Sequence, residues 1–294
     1  MNKAKYINLI KELTHPLVPL PTRLQPHLKP VMVKAVIFDI YGTLLISEAG
    51  DVGSDSSADD GQIFIQALTD GGWDPADITR QSADMIHLFR LEIKKAQQKS
   101  REKGVPYPEV DIRNIWMKTL VALQLPPGNG KNINRAAVSY ECRNNPTWPM
   151  PGMEEVISSL KEKHVKLGVI SNAQFYTPLI IEALTGHPPE ALGFDPLLTV
   201  WSYQRLEGKP SLSLFKHPEI SLFQQNISPD EIIYVGNDML KDIWPATQLG
   251  WKTALFAGDN RSLRLREDDK RLSGVEPDLI ITDLHQLADA VRLY

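Results

Sequence analysis

The stretch "VIFDIYGTLL", residues 36–45, decides the reading of this chain. Three apolar residues, Val36, Ile37 and Phe38, run without alternation into Asp39, and after Ile40 come Tyr41, Gly42 and Thr43. Continuous hydrophobicity of this length is what a parallel strand covered on both faces requires, so residues 33–39 are expected to be a buried strand. An aspartate closing such a strand stands where open α/β sheets bind their ligands, outside the carboxyl ends of the strands. Taken alone it is more often a turn former or helix cap, and it gains meaning only if other strands end in the same way.

They do. Similar runs occupy 165–171 ("VKLGVIS"), 231–237 ("EIIYVGN"), 252–257 ("KTALFA") and 279–282 ("LIIT"). Helix-length segments lie between the later runs, at 153–163, 211–224 and 243–249, which implies a doubly wound α/β fold with a parallel, Rossmann-like sheet. Ser171 and Asn172 close the second run, and Asp238 and Asp242 follow the third. The four-residue spacing of the last pair places both carboxylates toward one point if a helix begins there.

Residues 47–147 differ in character. Met85, Leu88, Phe89, Ile93 and Ala96 recur at helical spacing, as do Ile112, Ile115, Trp116, Leu120 and Leu123. They read as a helical domain inserted into the α/β core, which is then made of residues 33–46 and 148–294, with "NNPTWPMPG" (144–152) as the return linker. The acidic, serine-rich stretch 47–61 reads as a solvated loop whose aspartate spacing does not match an EF-hand. Residues 1–32 hold five prolines and form an N-terminal arm, helical in its first dozen residues and extended beyond. Such an arm either lies along its own domain or reaches the partner of a homodimer.

Composition excludes several classes. The 294-residue chain has a net charge of −4, which gives no basic face for nucleic acid. No apolar run approaches the roughly 20 residues of a membrane span. A single cysteine, Cys142, and the lack of a signal-peptide pattern point to the cytoplasm.

The chemistry follows from the residue types. Asp39, Asp238 and Asp242 form a set of like charges that calls for a cation, and oxygen-only ligands suit Mg²⁺. Gly42 offers a backbone N–H, and Thr43 and Ser171 offer hydroxyls, to phosphate oxygens. Lys209, in "EGKPSLSLF", adds positive charge; alone it would read as a solvated surface lysine.

"DIYGTLL", "VISN", "GKP" and "VGNDMLKD", in this order, resemble the four motifs of the haloacid dehalogenase-like hydrolase superfamily, and the insertion lies where that superfamily places its commonest cap. The resemblance implies a hydrolase with Asp39 as covalent nucleophile, oriented by Thr43. Ser171 and the backbone of Asn172 would hold the transferring group, and Lys209 would steady the charge. Mg²⁺ would sit on Asp39, Asp238, Asp242 and the main-chain carbonyl of Tyr41. A small phosphorylated or halogenated molecule is the implied substrate.

Tyr41 departs from the phosphatase pattern, which usually places there a second aspartate as general acid and base, a function worth ~10²–10⁴-fold. The 2-haloacid dehalogenases carry tyrosine at this position and use no metal, because halide leaves without a proton. The first motif therefore resembles a dehalogenase and the last a phosphatase. The acidic pair is given the greater weight, so the expectation is a Mg²⁺-dependent phosphohydrolase. The alternatives are a C–halide hydrolase and a binding module that keeps the pocket without the chemistry. In the insertion, "GVPYPEVDIRNIW" (104–116) is the segment expected near the substrate, with Glu109, Asp111 and Arg113 on it; Asp111 reads first as a helix cap and Trp116 as core.

Overall fold

The computed structural model describes residues 3–49, 60–79 and 85–292. Six parallel strands build the central sheet: β1 (Ala35–Phe38), β2 (Lys166–Ser171), β3 (Phe194–Trp201), β4 (Ile232–Gly236), β5 (Lys252–Phe256) and β6 (Leu279–Ile281). Their spatial order is β3-β2-β1-β4-β5-β6. The winding reverses at β1, so the crevice of a doubly wound sheet opens beside the residue that follows it, Asp39.

The two periodicities of the sequence explain the layers. Along β1, Ala35 and Ile37 face a core of Ile170, Phe215, Leu222, Tyr234 and Trp251 beneath helix Leu212–Phe223. Val36 and Phe38 face the other way, into a core that includes Val169, Val235 and Phe256 and helix Met153–Glu162. Both faces being covered, β1 and β4 are buried at every position, which is why they read as unbroken apolar runs.

Strand β3 was not among the expected strands. Its sequence, "FDPLLTVW", carries Asp195 and Pro196, and it pairs with β2 alone, on the edge where proline is tolerated. Gly168 permits the close approach: a Cβ there would stand 2.5 Å from the Leu198 carbonyl oxygen, beside an irregularity in the β2–β3 register.

The chain enters and leaves the helical insertion through one antiparallel pair, Leu45–Ser47 with Thr147–Pro149. Its helices are Asp60–Gly71, Met85–Glu102, Ile112–Ala122 and Gly130–Asn144, with a short one at Pro75–Thr79. The Phe64 ring stacks on Trp116 (centroids 4.6 Å apart, planes 12° from parallel), and Phe89 and Tyr140 close around them. Trp116 is thus core, and Asp111 does cap its helix, accepting from the Arg113 N–H. Most of the acidic stretch 47–61 lies outside the described residues.

The N-terminal arm lies along its own chain. Helix Ala4–Leu13 buries Tyr6, Leu9 and Ile10 against helices Gly130–Asn144 and Thr177–Thr185. Beyond it, Leu20 exchanges hydrogen bonds with Asp259 and Asn260, Thr22 bonds the Ala257 carbonyl, and His27 bridges to Ile280 on β6. The arm therefore braces the loop that follows β5. Among the described residues no helix is long and apolar enough to cross a membrane.

Candidate active site

Asp39 extends β1 by one hydrogen bond, from its N–H to the Val235 carbonyl, and the chain then turns sharply back on Ile40. The turn requires glycine at position 42. Its φ is +81°, and an added Cβ would stand 2.5 Å from the Ser262 Cβ and 2.7 Å from the Asn237 Nδ2. Thr43 is fully buried and donates to the Asn237 side-chain oxygen at 3.2 Å, while the Asn237 amide donates to the Ser262 carbonyl at 2.5 Å. Asn237 therefore ties the turn after β1 to the loop after β5.

Lys209 is the centre of the arrangement. Its ammonium is buried, 2.8 Å from Asp39 Oδ1, 2.6 Å from Asp242 Oδ1 and 3.2 Å from the Tyr234 hydroxyl. Burial works against its charge, but Asp242 and Asp39 outweigh that and hold its pKa above the ordinary lysine range. The Lys209 N–H is fixed in turn by the Asn172 side-chain oxygen at 2.7 Å. Asn172 thus positions the lysine with its side chain.

Asp242 is 1% exposed; its second oxygen accepts from the Asp238 N–H at 2.9 Å. Burial pushes its carboxyl up to about 7, against the pull of Lys209. Gly236 makes the room, since a Cβ there would lie 2.4 Å from the Asp242 Cγ. The Tyr234 hydroxyl donates to the Ile170 carbonyl at 2.7 Å, which fixes its ring beneath Lys209.

Asp238 is engaged elsewhere. One oxygen caps the single wide turn Met239–Ile243, accepting from the N–H groups of Leu240 and Lys241 at 2.9 and 3.0 Å. The other is gripped by Arg266, whose terminal nitrogen lies at 2.7 Å and Nε at 3.2 Å. Among the described residues no three acidic, histidine or cysteine side chains gather as a cation site. Asp39, Asp238 and Asp242 therefore do not form a three-carboxylate cage in this arrangement: Lys209 bridges two of them and Arg266 holds the third. The residues as they stand do not fit Mg²⁺.

Ser171, at the end of β2, is 1% exposed, and its hydroxyl has no hydrogen-bond partner among the described residues. A buried hydroxyl left unpaired is costly unless something else binds it, so Ser171 is the group in the crevice with an unmet demand.

Tyr41 stands at the base of the insertion. Its hydroxyl and that of Thr177 are 2.9 Å apart. Burial, then the nearby Glu141, raises its pKa well above the ordinary value, so the phenol keeps its proton. Glu141, buried on helix Gly130–Asn144, accepts from the Tyr176 hydroxyl at 2.7 Å and has its own pKa raised by burial. Across the crevice, the loop of the insertion is pinned beside Lys209: the Glu109 N–H bonds the Leu206 carbonyl, and the Gly208 N–H bonds that of Tyr107. The Glu109 carboxyl accepts from Ser202 at 3.2 Å, and burial raises its pKa. Asp111 and Arg113 pair with each other, and the guanidinium lies over Phe175 and Tyr203.

The structure thus brings Asp39, Lys209 and Asp242 into direct contact, sets Thr43, Gly42 and Ser171 around them, and turns Asp238 aside. Sequence reasoning passed over Asn237, Tyr234, Glu141 and Arg266. Asn237 was within reach, being the first polar residue after β4.

The family profile of the haloacid dehalogenase-like hydrolases matches residues 33–250. A glyceraldehyde 3-phosphate phosphatase of Methanocaldococcus jannaschii is 31% identical over 148 residues, which is 49% of this chain and 57% of that protein. The match thus spans little more than half of that relative's length. Among solved structures, a 2-haloacid dehalogenase from Pseudomonas syringae pv. tomato superposes with a TM-score of 0.54 at 18% identity, covering 88% of this chain and 98% of that one. A HAD phosphatase from Thermococcus onnurineus gives 0.49 at 18% identity, over 87% and 97%. At such identities the likeness concerns the fold.

Proposed function

Since the chain belongs to the haloacid dehalogenase-like hydrolases, we propose that it is a phosphohydrolase of a small phosphorylated metabolite that works through an aspartyl-phosphate at Asp39. One observation carries the reading: the Asp39 carboxylate stands 2.8 Å from the buried Lys209 ammonium at the sheet's switch point, with the unpaired Ser171 hydroxyl on the neighbouring strand end. The phosphatase named above, over the part it shares, supports phosphorus rather than carbon as the electrophile.

In this mechanism an Asp39 oxygen forms a bond to phosphorus as the bond from phosphorus to the leaving oxygen breaks. Lys209 holds the Asp39 carboxyl in place, and it opposes the negative charge gathering at the phosphoryl group. Ser171 and the N–H groups of the turn around Gly42 bind the phosphoryl oxygens. Water then attacks phosphorus, and the Asp39 carboxylate departs as inorganic phosphate forms. Tyr41, held neutral, does not serve as the base that activates this water. Substrates whose leaving group needs no proton, such as acyl phosphates, are therefore favoured.

A second reading, hydrolysis of a C–halide bond through an aspartyl ester, is favoured by Tyr41 itself, since halide leaves without a proton. Purified wild type and Asp39→Asn, with Mg²⁺ or EDTA, tested on acetyl phosphate, an aryl phosphate and L-2-chloropropionate, separate the two. Phosphate release lost in Asp39→Asn, with acetyl phosphate the better substrate, is expected. Chloride release indifferent to EDTA would overturn the phosphohydrolase in favour of the dehalogenase. Silence on all three would leave the pocket as a binding module.

A further inference from the structure

We propose that Gln174 is a specificity-determining positioning residue: its side chain ties the insertion's loop 107–112 to the strand end that carries Ser171, so that the loop stands as a preformed wall on the leaving-group side of the crevice. The tie itself is independent of the phosphohydrolase reading, and its effect on substrates rests on that reading.

Both ends of the Gln174 amide are used. Its Nε2 donates to the Val110 carbonyl at 2.7 Å, and its Oε1 accepts from the Ile112 N–H at 3.0 Å. These partners fix the orientation of the amide, since a carbonyl only accepts and an N–H only donates. Ile112 opens helix Ile112–Ala122, whose leading N–H groups have no partner within the helix. Asp111 serves the Arg113 N–H, and Gln174, reaching across from the core, serves that of Ile112. The Gln174 side chain is buried, so its removal leaves a carbonyl and an N–H unpaired unless the loop moves out to find water.

The three residues after Ser171 each reach a wall of the crevice. Asn172 holds the Lys209 N–H at 2.7 Å. The Ala173 N–H donates to the Ser202 hydroxyl at 2.9 Å, and that hydroxyl donates to the Glu109 carboxyl. Gln174 takes the next stretch of the same loop. The other side of the loop is bonded to residues 206–208, through Glu109 on Leu206 and Gly208 on Tyr107. The Gln174 backbone is braced in turn: its N–H lies 3.3 Å from Thr177 Oγ1, the atom that meets the Tyr41 hydroxyl. Loop 107–112 therefore spans the crevice from the Lys209 segment to the Ser171 strand end.

In-line displacement at phosphorus sends the leaving group away from Asp39, and so out of the strand ends toward this loop. A leaving group long enough to touch the loop meets a wall already ordered. Without Gln174 the wall must be ordered on binding, and affinity falls by the fraction of time it is in place. A leaving group too short to touch it is indifferent.

The test compares wild type and Gln174→Ala in two arms. In amide hydrogen exchange, the wild-type Ile112 N–H should be protected like those inside its helix, and the variant should speed its exchange by about tenfold or more while the amides of β1 and β4 keep their wild-type rates. In steady-state kinetics, the variant should raise KM for an aryl phosphate by about fivefold or more, with kcat lowered by less than about twofold, and should shift either constant for acetyl phosphate by less than about twofold. An unprotected Ile112 N–H in the wild type, a measurement that needs no variant to fold, overturns the tie, as does equal exchange in the two proteins. Equal rises in KM for both substrates, or a loss confined to kcat, overturn the specificity role. A wild type that releases no phosphate from either substrate removes the phosphohydrolase reading and the specificity role with it, while the exchange arm still decides the tie.

Discussion

Lys209→Met tests the core of the arrangement. The ammonium lies 2.8 and 2.6 Å from two carboxylates, and its side chain is 3% exposed, so solvent screening is slight. At an effective dielectric of about 20, each contact is worth roughly 6 kcal/mol of Coulomb attraction, most of which offsets the desolvation of the three charges. Removing one partner leaves the others buried without a counter-charge, which costs about 3–5 kcal/mol. The variant has a way to relieve this, for Asp242 already has its pKa raised to about 7 with Lys209 in place. Without the lysine that pKa rises further, and the folded protein carries a proton that the unfolded chain, with an aspartate pKa near ~3.9, does not. Stability must then fall as pH rises, by about 1.4 kcal/mol per pH unit while the folded state holds the extra proton. Urea unfolding of wild type, Lys209→Met, Asp242→Asn and the double variant between pH 5 and 8 measures both effects. The double variant should be less destabilised than the sum of the singles by about 1–3 kcal/mol. Additivity within ~0.5 kcal/mol, or a Lys209→Met profile no steeper than wild type above about pH 7, where wild-type Asp242 has lost its proton, would refute the account of Lys209 as the counter-ion of both carboxylates.

Tyr41→Phe removes the hydroxyl that meets Thr177 but no titrating group, since the phenol stays protonated at neutral pH. Turnover of an activated phosphate should change by less than about tenfold, below the usual range for a lost general acid or base; a loss of ~10³-fold in kcat would show the phenol to be a proton donor. Gly42→Ala forces a Cβ into Ser262 and Asn237 at a residue with φ +81°. It should cost about 1–3 kcal/mol in chemical denaturation and disable turnover through the shifted Thr43. A variant as stable and active as wild type would mean that the turn rearranges freely.

The sheet was legible where burial is symmetric. Strands β1, β2, β4, β5 and β6 announce themselves because covering both faces leaves no room for polar alternation. Strand β3 did not, because an edge strand can carry Asp195 and Pro196, which locally read as a breaker. In the site, Asp39, Lys209 and Asp242 were identifiable as polar residues on segments that converge at the strand ends. Asp238 was harder. The four-residue spacing does bring Asp238 and Asp242 together, but through the backbone N–H of one and the carboxyl of the other. After β4 the chain enters a wide turn, and whether Asn237 or Asp238 faces the nucleophile loop depends on that turn's geometry. Arg266 had no local signature at all. It sits 28 positions beyond Asp238, and only the topology that sets the loop after β5 beside β4 makes them neighbours.

That missing arginine changes the electrostatic argument. Three carboxylates converging at strand ends call for positive charge, and the sequence suggested a metal ion as its source. The folded chain supplies two cations of its own, Lys209 between Asp39 and Asp242 and Arg266 on Asp238. At rest, the repulsion among the acids is therefore largely answered without a metal. The demand returns when an anionic phosphate group meets Asp39, because the arriving charge exceeds what one shared lysine can balance. It would be smaller for a singly charged haloacid. A need for further positive charge would thus be coupled to the substrate's charge more than to the number of acidic residues in the motif.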